Sequence, residues 1–488
     1  MTAYELVVGM EVHVELNTRT KIWCGCELDA KALPNTRTCP VCVGMPGVLP
    51  VLNREAVDKT LRICLAMNCD IQSPCHFERK NYFYPDLPKA YQISQQARPL
   101  GINGGIEIIT SAGTKFIRLH NVHLEEDAGK NFHPEYSGAD YTLVDLNRAG
   151  TPLVEIVSMP DLRSLEEADA YMKTLRNLLR YLDVSDCKMQ EGSIRFEANI
   201  SMRPAGSETF GTKVEVKNLN SITTALKCIQ YEQWRQEQIL RDGGKIDQET
   251  RLWDEAAKQT RAMRSKEDAN DYRYFPDPDL VNVELTEAHI ATCRAELPEL
   301  AVARQRRFEA QYGLPLHDGL VLTGDRALAD YFETAVQAHN NPKAISNWIQ
   351  TELLRYINEQ GEDYELSALP VPPASLAAMV AMIDGGRISG KIAKTVMAEM
   401  LATGKAPDVI VAEQGLEVIN DSSELEGHCR AAIEAQPSAA ADVRAGKTKA
   451  IGRLVGEVMK RSGGKAEPAT VNQILMRLLN PEGSEERS

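Results

Sequence analysis

Val8-Gly-Met-Glu-Val-His-Val-Glu-Leu16 alternates without a break: Val8, Met10, Val12, Val14 and Leu16 are apolar, and Gly9, Glu11, His13 and Glu15 stand between them. Period-two patterning of this kind predicts a strand with one buried face. Side chains two apart on a strand share a face at roughly 7 Å, so Glu11 and His13 can converge on one ion or phosphate. A plain edge strand with a wet face has the same pattern. Two later stretches repeat it. In Ser193 to Arg203, Ile194, Phe196, Ala198, Ile200 and Met202 oppose Arg195, Glu197, Asn199 and Arg203. In Lys213-Val-Glu-Val-Lys217 the polar set is Lys213, Glu215 and Lys217. Each of the three strands therefore offers a carboxylate beside His, Arg or Lys on its non-core face. Together they predict a sheet whose open face holds metal ions and phosphate.

Arg118-Leu-His-Asn-Val-His-Leu-Glu-Glu-Asp-Ala-Gly-Lys130 adds two histidines, three successive acids and a lysine. Adjacent carboxylates repel one another, the more so when partly buried, unless Mg2+ or an Arg/Lys pair neutralises them. A solvated acidic turn has the same composition. Cys24-Gly-Cys26 and Cys39-Pro-Val-Cys42 are two close-spaced thiol pairs separated by a loop, the usual ligand set of a tetrahedral structural zinc. Phe77 to Ser94 is dense in aromatic side chains, with Arg79, Lys80 and Lys89 among them. It reads either as a platform for a base or phosphates or as a well-packed loop. Gly385-Gly-Arg-Ile-Ser-Gly-Lys-Ile392 resembles a phosphate-binding loop, but Ile392 stands where a Ser or Thr should hold Mg2+ and no strand precedes it. It reads as an interhelical turn.

Helices are expected over about 53–67, from a Ser164/Glu167 capping box to about 181, and over about 221–241 before Gly243-Gly244. Strands and helices without regular alternation predict an α+β class. From about 295 the pattern is helical, including 327–338 and 343–357, and three domains are expected: 1–294, 295–406 and 407–480. The last eight residues read as disordered. With 488 residues, 43% of them hydrophobic, the chain has ample core. No apolar run reaches the roughly 18 residues of a membrane span and no signal segment opens the chain, so a cytoplasmic protein with reduced cysteines is expected. The net charge of −14 taken alone argues against a nucleic-acid partner. It hides an asymmetry: residues 441–480 hold eight Lys/Arg against three acids, so that segment is +5 and the remainder −19.

Several motifs, in order, carry a family resemblance. They are Gly9-Met-Glu-Val-His13, Arg79-Lys-Asn-Tyr-Phe-Tyr-Pro85, Lys89-Ala-Tyr-Gln-Ile-Ser94, His123-Leu-Glu-Glu-Asp-Ala-Gly-Lys130, Asn147-Arg-Ala-Gly-Thr-Pro-Leu153, Lys217-Asn-Leu-Asn-Ser221 and Asp271-Tyr-Arg-Tyr-Phe-Pro276. From about residue 4 to 480 the chain closely resembles the B subunits of the aspartyl/glutamyl-tRNA amidotransferases. The resemblance implies a glutamine-synthetase-like cradle with an open sheet, an all-helical domain and a small mobile helical tail that embraces tRNA. It implies a glutamine-dependent carbon-nitrogen ligase. ATP phosphorylates the side-chain carboxylate of misacylated Glu-tRNA(Gln), Asp-tRNA(Asn) or both, and ammonia displaces the phosphate. The ammonia comes through a tunnel from a separate amidase partner, and a small third protein completes a heterotrimer. By resemblance, Glu11, His13, Glu125, Glu126 and Glu215 hold Mg2+ and phosphate, with Glu126 catalytic. Lys80 and Lys89 line the ammonia path or touch the transferring phosphoryl group. Glu197 stands where the family usually has Asp, one methylene shorter, which puts a ligand role there in doubt. Cys24, Cys26, Cys39 and Cys42 belong to only part of the family, so zinc rests on this sequence itself.

A zinc-bearing tRNA-binding scaffold without chemistry would give no reason for carboxylates on three strand faces. A free-standing ligase for a small acid does not explain the basic tail. The chain has neither a Gly-Gly-Ser-Ser-Gly-like amidase motif nor a recognisable Cys/His pair for glutamine hydrolysis, so a partner must supply ammonia.

Overall fold

A computed structural model of the chain describes residues 3–29, 31–133, 140–265, 272–361, 364, 366–419, 421–463 and 465–479. Asp271 and the final eight residues lie outside them. The chain divides into two units, Met1–Ala303 and Arg304–Ser488.

The alternating stretch lies in β1 (Tyr4–Glu15). Val8, Met10, Val12, Val14 and Leu16 are all buried, with Val8, Val12 and Val14 fully so. The first unit continues with β2 (Asp70–Ile71), β3 (Glu78–Asn81), β4 (Tyr91–Ser94), β5 (Gly101–Ile102), β6 (Gly105–Thr110), β7 (Gly113–Glu126), β8 (Lys130–Phe132), β9 (Leu143–Asp145) and β10 (Pro152–Ser158). It is completed by β11 (Ile194–Pro204), β12 (Val214–Leu219), β13 (Glu249–Asp254), β14 (Gln259–Ser265) and β15 (Phe275–Pro276). Ten strands form one sheet in the order β14-β13-β12-β11-β1-β10-β7-β5-β2, with β6 also on β7. Neighbours are antiparallel except β12 and β13. Each apolar side chain of β1 gains about 1.5–3 kcal/mol by burial, and a one-residue slip would expose the whole set. The register is therefore fixed by the core, and with it the positions of Glu11 and His13.

One face of this sheet is covered by α1 (Arg54–Ala66), α2 (Leu165–Tyr181) and α3 (Ile222–Arg241), and α4 (Glu287–Ala295) packs on α1. The helices start where their caps demand. Asn53 accepts from the Glu55 N–H at 2.9 Å, Ser164 from Glu167 at 3.1 Å, and Ser221 from Thr224 at 3.0 Å. The carboxylate of Glu167 accepts from the N–H of Arg163, one residue before the cap. The ends of the aromatic-rich stretch pair as β3 and β4 in a small sheet, β15-β3-β4, and residues 82–90 between them form a loop. Gly44 closes the thiol loop at a φ of +68°, and a Cβ there would sit 2.6 Å from Cγ of Lys89.

The second unit is helical: α5 (Ala301–Tyr312), α6 (Leu316–Leu322), α7 (Arg326–Ala338), α8 (Pro342–Trp348), α9 (Leu354–Gln360), α10 (Pro373–Asp384), α11 (Gly390–Thr403) and α12 (Pro407–Glu413). The helix expected over 343–357 is interrupted by a π segment, Ile349–Leu353. Gly385 caps α10, Gly386 turns at a φ of +69°, and Ser389 caps α11, so 385–392 joins two helices as expected. Four further helices, α13 (Ser422–Ala435), α14 (Pro437–Arg444), α15 (Ile451–Arg461) and α16 (Pro468–Leu479), enclose a separate small core. The core of α5–α12 extends to Leu416 and Val418 and includes Ile410 and Val411 of α12. The apolar contacts therefore change hands at about 418 rather than at 407.

Candidate active site

The face of the sheet turned away from the helices carries the acids. Across it, His13 of β1 lies opposite Glu155 of β10 and Arg195 of β11, and Glu155 lies opposite His123 of β7. Two groups of ligand atoms result, each with all three atoms within 4.8 Å of one another: His13, Glu125 and Glu155, and Glu11, Glu197 and Glu215. β1 contributes to both through residues two apart. The first group is tied together by His13 Nε2 at 3.5 Å and His123 Nε2 at 3.3 Å from the Glu155 carboxylate. Ser94 donates to Glu125 at 2.9 Å. In the second, Asn199 donates to Glu11 at 2.8 Å, Thr250 to Glu215 at 2.8 Å, and Lys217 lies 2.8 Å from Glu197.

The charges strain against burial. Burial opposes a charged His13, yet Glu155 beside it, with Glu197 and Glu125, lifts its pKa to about 9. His123 rises to about 10 against the same burial penalty, through Glu155 and Glu125. Burial raises the Glu155 carboxyl, but His123 and His13 outweigh it and hold Glu155 well below the usual range. Glu11 is pushed up, first by burial and then by Glu155, Glu197 and Glu215. Buried Nδ1 of His13 and Oδ1 of Asn199 have no hydrogen-bond partner. Lys80 faces the first group: burial works against its charge, and Glu125, Tyr274 and Glu155 hold it on. Its ammonium lies 4.9 Å from the Tyr272 ring centre.

The acid triplet disperses. Successive strand residues point to opposite sides, so Glu125 joins His13 and Glu155 while Glu126 forms a buried ion pair with Lys89 and accepts from the Ile93 N–H at 2.9 Å. The structure thus does not bring Glu126 into either acid group. Asp127 takes Arg195 at 2.9 Å and Arg148 at 3.7 Å. Behind it Glu15 is raised to about 8 by burial and then by Asp127. Arg79 is engaged by Asp277 at 2.9 Å and Asp279 at 2.8 Å, and its guanidinium stacks 4.3 Å from the Tyr91 ring centre. Lys89 lines a cavity of about 240 Å³ with Trp23, Val41, Met45, Val48 and Tyr91.

Sequence reasoning misses Glu155, because Leu153, Val154, Ile156 and Val157 around it are apolar on both faces of β10 and give no alternating signal. Glu197, doubted for its extra methylene, stands within the second group. Cys24, Cys26, Cys39 and Cys42 bring four sulfurs within 4.8 Å and can hold a metal ion. The Cys39 N–H donates to Cys42 Sγ at 3.1 Å, and hydrogen bonding from Cys24 outweighs burial to bring the Cys42 thiol down to about 4.

Two family models match the chain: one described as the GatB/GatE catalytic domain over residues 6–291, the other as the GatB domain over 330–479. Three similar proteins are named as B subunits of aspartyl/glutamyl-tRNA(Asn/Gln) amidotransferase. That of Carboxydothermus hydrogenoformans is 50% identical over 476 residues, covering 97% of this chain and 98% of its own. That of Moorella thermoacetica is 50% identical over 476 residues, covering 98% and 100%. That of Brevibacillus brevis is 48% identical over 480 residues, covering 98% and 100%. At this identity over nearly full length on both sides, the chain belongs to the family of aspartyl/glutamyl-tRNA(Asn/Gln) amidotransferase B subunits.

Proposed function

We propose that the chain is the part of a glutamine-dependent carbon-nitrogen ligase that phosphorylates the side-chain carboxylate of misacylated Glu-tRNA(Gln), Asp-tRNA(Asn) or both, and then amidates it. The observation that carries the chemistry is the pair of ligand groups sharing β1. One offers three carboxylates, the other two carboxylates and an imidazole. Such oxygen-rich sets suit Mg2+, and the buried atoms left without a hydrogen-bond partner at His13 and Asn199 fit a site built for a ligand. Glu11, Glu197 and Glu215 would hold one ion, and His13, Glu125 and Glu155 the other. When bound, Mg2+ shields the approach of a carboxylate to the polyphosphate of ATP and neutralises charge on the transferring group.

The substrate carboxylate oxygen bonds to the γ-phosphorus, the bond to ADP breaks, and an acyl phosphate forms. Ammonia then attacks the acyl carbon, phosphate leaves and the nitrogen gives up a proton. Lys80, held charged beside Glu125 and Glu155, would meet the phosphoryl group. Lys89 and Glu126, beside the cavity, fit the polar lining of an ammonia route better than a metal site. A partner amidase supplies the ammonia, and a small third protein completes the heterotrimer. Cys24, Cys26, Cys39 and Cys42 would hold a structural Zn2+ and so pin the loop between Lys21 and Pro50. The first unit is read as a glutamine-synthetase-like cradle, followed by a helical domain and a tRNA-binding tail.

Glu155→Gln tests this reading, because it removes one charge from the first group at nearly constant shape. In the assembled complex with misacylated tRNA, phosphate release should fall by about 10²–10⁴-fold, a loss of several kcal/mol of transition-state stabilisation, while the partner still hydrolyses glutamine. Release at the wild-type rate would remove Glu155 from the chemistry.

A further inference from the structure

Apart from the sheet, α1 and α4 bring together three side chains of metal-ligating type. His289 and Cys293, four apart, share a face of α4, and Asp58 of α1 meets them there. His289 Nε2 lies 2.8 Å from Asp58 Oδ1 and 3.8 Å from Cys293 Sγ, and all three ligand atoms fall within 4.8 Å of one another. Both contacts use the same ring nitrogen. In a nucleophilic Cys-His-Asp triad the two nitrogens serve different partners, one taking the thiol proton and the other held by the acid. Convergence on one nitrogen does not give that relay. It leaves all three donors aimed at one point; tetrahedral bonds of about 2.0–2.3 Å set neighbouring ligand atoms about 3.3–3.6 Å apart, so an ion between them would open the 2.8 Å hydrogen bond of Asp58 to His289 and draw Cys293 Sγ in slightly from 3.8 Å. The second Asp58 oxygen, Oδ2, is 3.6 Å from Arg54, which leaves Oδ1 to the group. Cys293 is buried, whereas the side chains of His289 and Asp58 are 26% and 29% exposed. Water therefore reaches the group from one side.

We propose that Asp58, His289 and Cys293 form a binding site for a borderline divalent cation of the zinc class, which ties α4 to α1 and leaves a fourth position open to water. One sulfur, one nitrogen and one oxygen donor exclude Mg2+ and Ca2+, which take oxygen, and favour Zn2+ or Co2+. Binding releases the Cys293 proton, so the bound group is neutral: a 2+ ion, a thiolate, a carboxylate and an uncharged imidazole. The ion would join residues 231 apart in sequence, the first helix of the unit to its last. The site is separate from the proposed phosphorylation centre and from the four-thiolate group.

Cobalt reports on it directly. The full chain is first given one equivalent of Zn2+ to fill the four-thiolate group and then titrated with Co2+. One further ion should bind with a thiolate-to-cobalt charge-transfer band, and Cys293→Ser should abolish that band. Asp58→Asn and His289→Gln should each weaken binding by at least about tenfold, since even partners behind a ligand cost that much. These two variants keep the test alive should Cys293→Ser fail to fold, and circular dichroism checks each. A band that survives Cys293→Ser, an affinity within about twofold of wild type in either of the others, or no Co2+ bound at millimolar concentration would overturn the proposal.

Discussion

The polar face of the large sheet and the tail helices α13–α16 carry opposite charge in opposite surroundings. On the sheet, Glu125 and Glu215 are buried, and each is fixed by a strand register and a named donor. In the tail, Arg444, Lys449, Arg453 and Lys460 are exposed, and none stands in an ion pair among the described residues, whereas Lys447, Arg461 and Arg477 pair with Asp442, Glu457 and Glu426. Buried charges act at short range in a low dielectric, and exposed ones are screened over about 8–10 Å. The first arrangement suits chemistry that must hold its geometry, the second a backbone that is grasped and released. The two regions should therefore fail differently.

Glu126→Gln should show the larger effect. It removes the partner of Lys89, whose side chain is 11% exposed, and a buried cation left unpaired costs about 3–5 kcal/mol. Denaturant unfolding should report that loss. Amide formation should fall more than tRNA-dependent phosphate release, because Glu126 lies outside both acid groups. Equal falls in both would return it to the metal site.

Removal of the chain after residue 418, which keeps α12 in its core, should weaken tRNA binding and flatten its salt dependence. Each lost phosphate contact lowers the slope of log K against log salt by roughly 0.7–0.9, so four exposed cations are worth about 3. Phosphorylation at saturating tRNA should survive in part. An unchanged slope would place tRNA contact outside the tail.

The smallest effect belongs to Lys391, exposed in the first turn of α11 at the end of the stretch that mimics a phosphate-binding loop. Lys391→Ala should leave stability within about 0.5 kcal/mol and the KM for ATP unchanged. A raised KM would mean that the helical unit does bind nucleotide.

These regions are also unequally legible in the sequence. Alternation in residues 8–16, 193–203 and 213–217 places Glu11, His13, Glu197 and Glu215 on one face, since a strand's period is two and its core side is unmistakable. The same rule, followed through 118–126, separates Glu125 from Glu126. Composition alone makes the three acids look like one cluster, and that is why Glu126 is expected at the metal site and found beside Lys89. Glu155 stays hidden because the motif that marks its strand ends at Leu153, two residues short. Asp58, His289 and Cys293 give little signal: Asp58 lies 231 or more residues from the other two, and only the packing of two helices brings them together.

On the proposed reading, two ions sit side by side on β1. Mn2+ in place of Mg2+, counted by electron paramagnetic resonance on the full chain with a non-hydrolysable ATP analogue, tests it most directly. Two bound ions per chain are expected, with one lost in Glu11→Gln and the other in Glu155→Gln. Two ions retained in both variants, or none in the wild type, would contradict it.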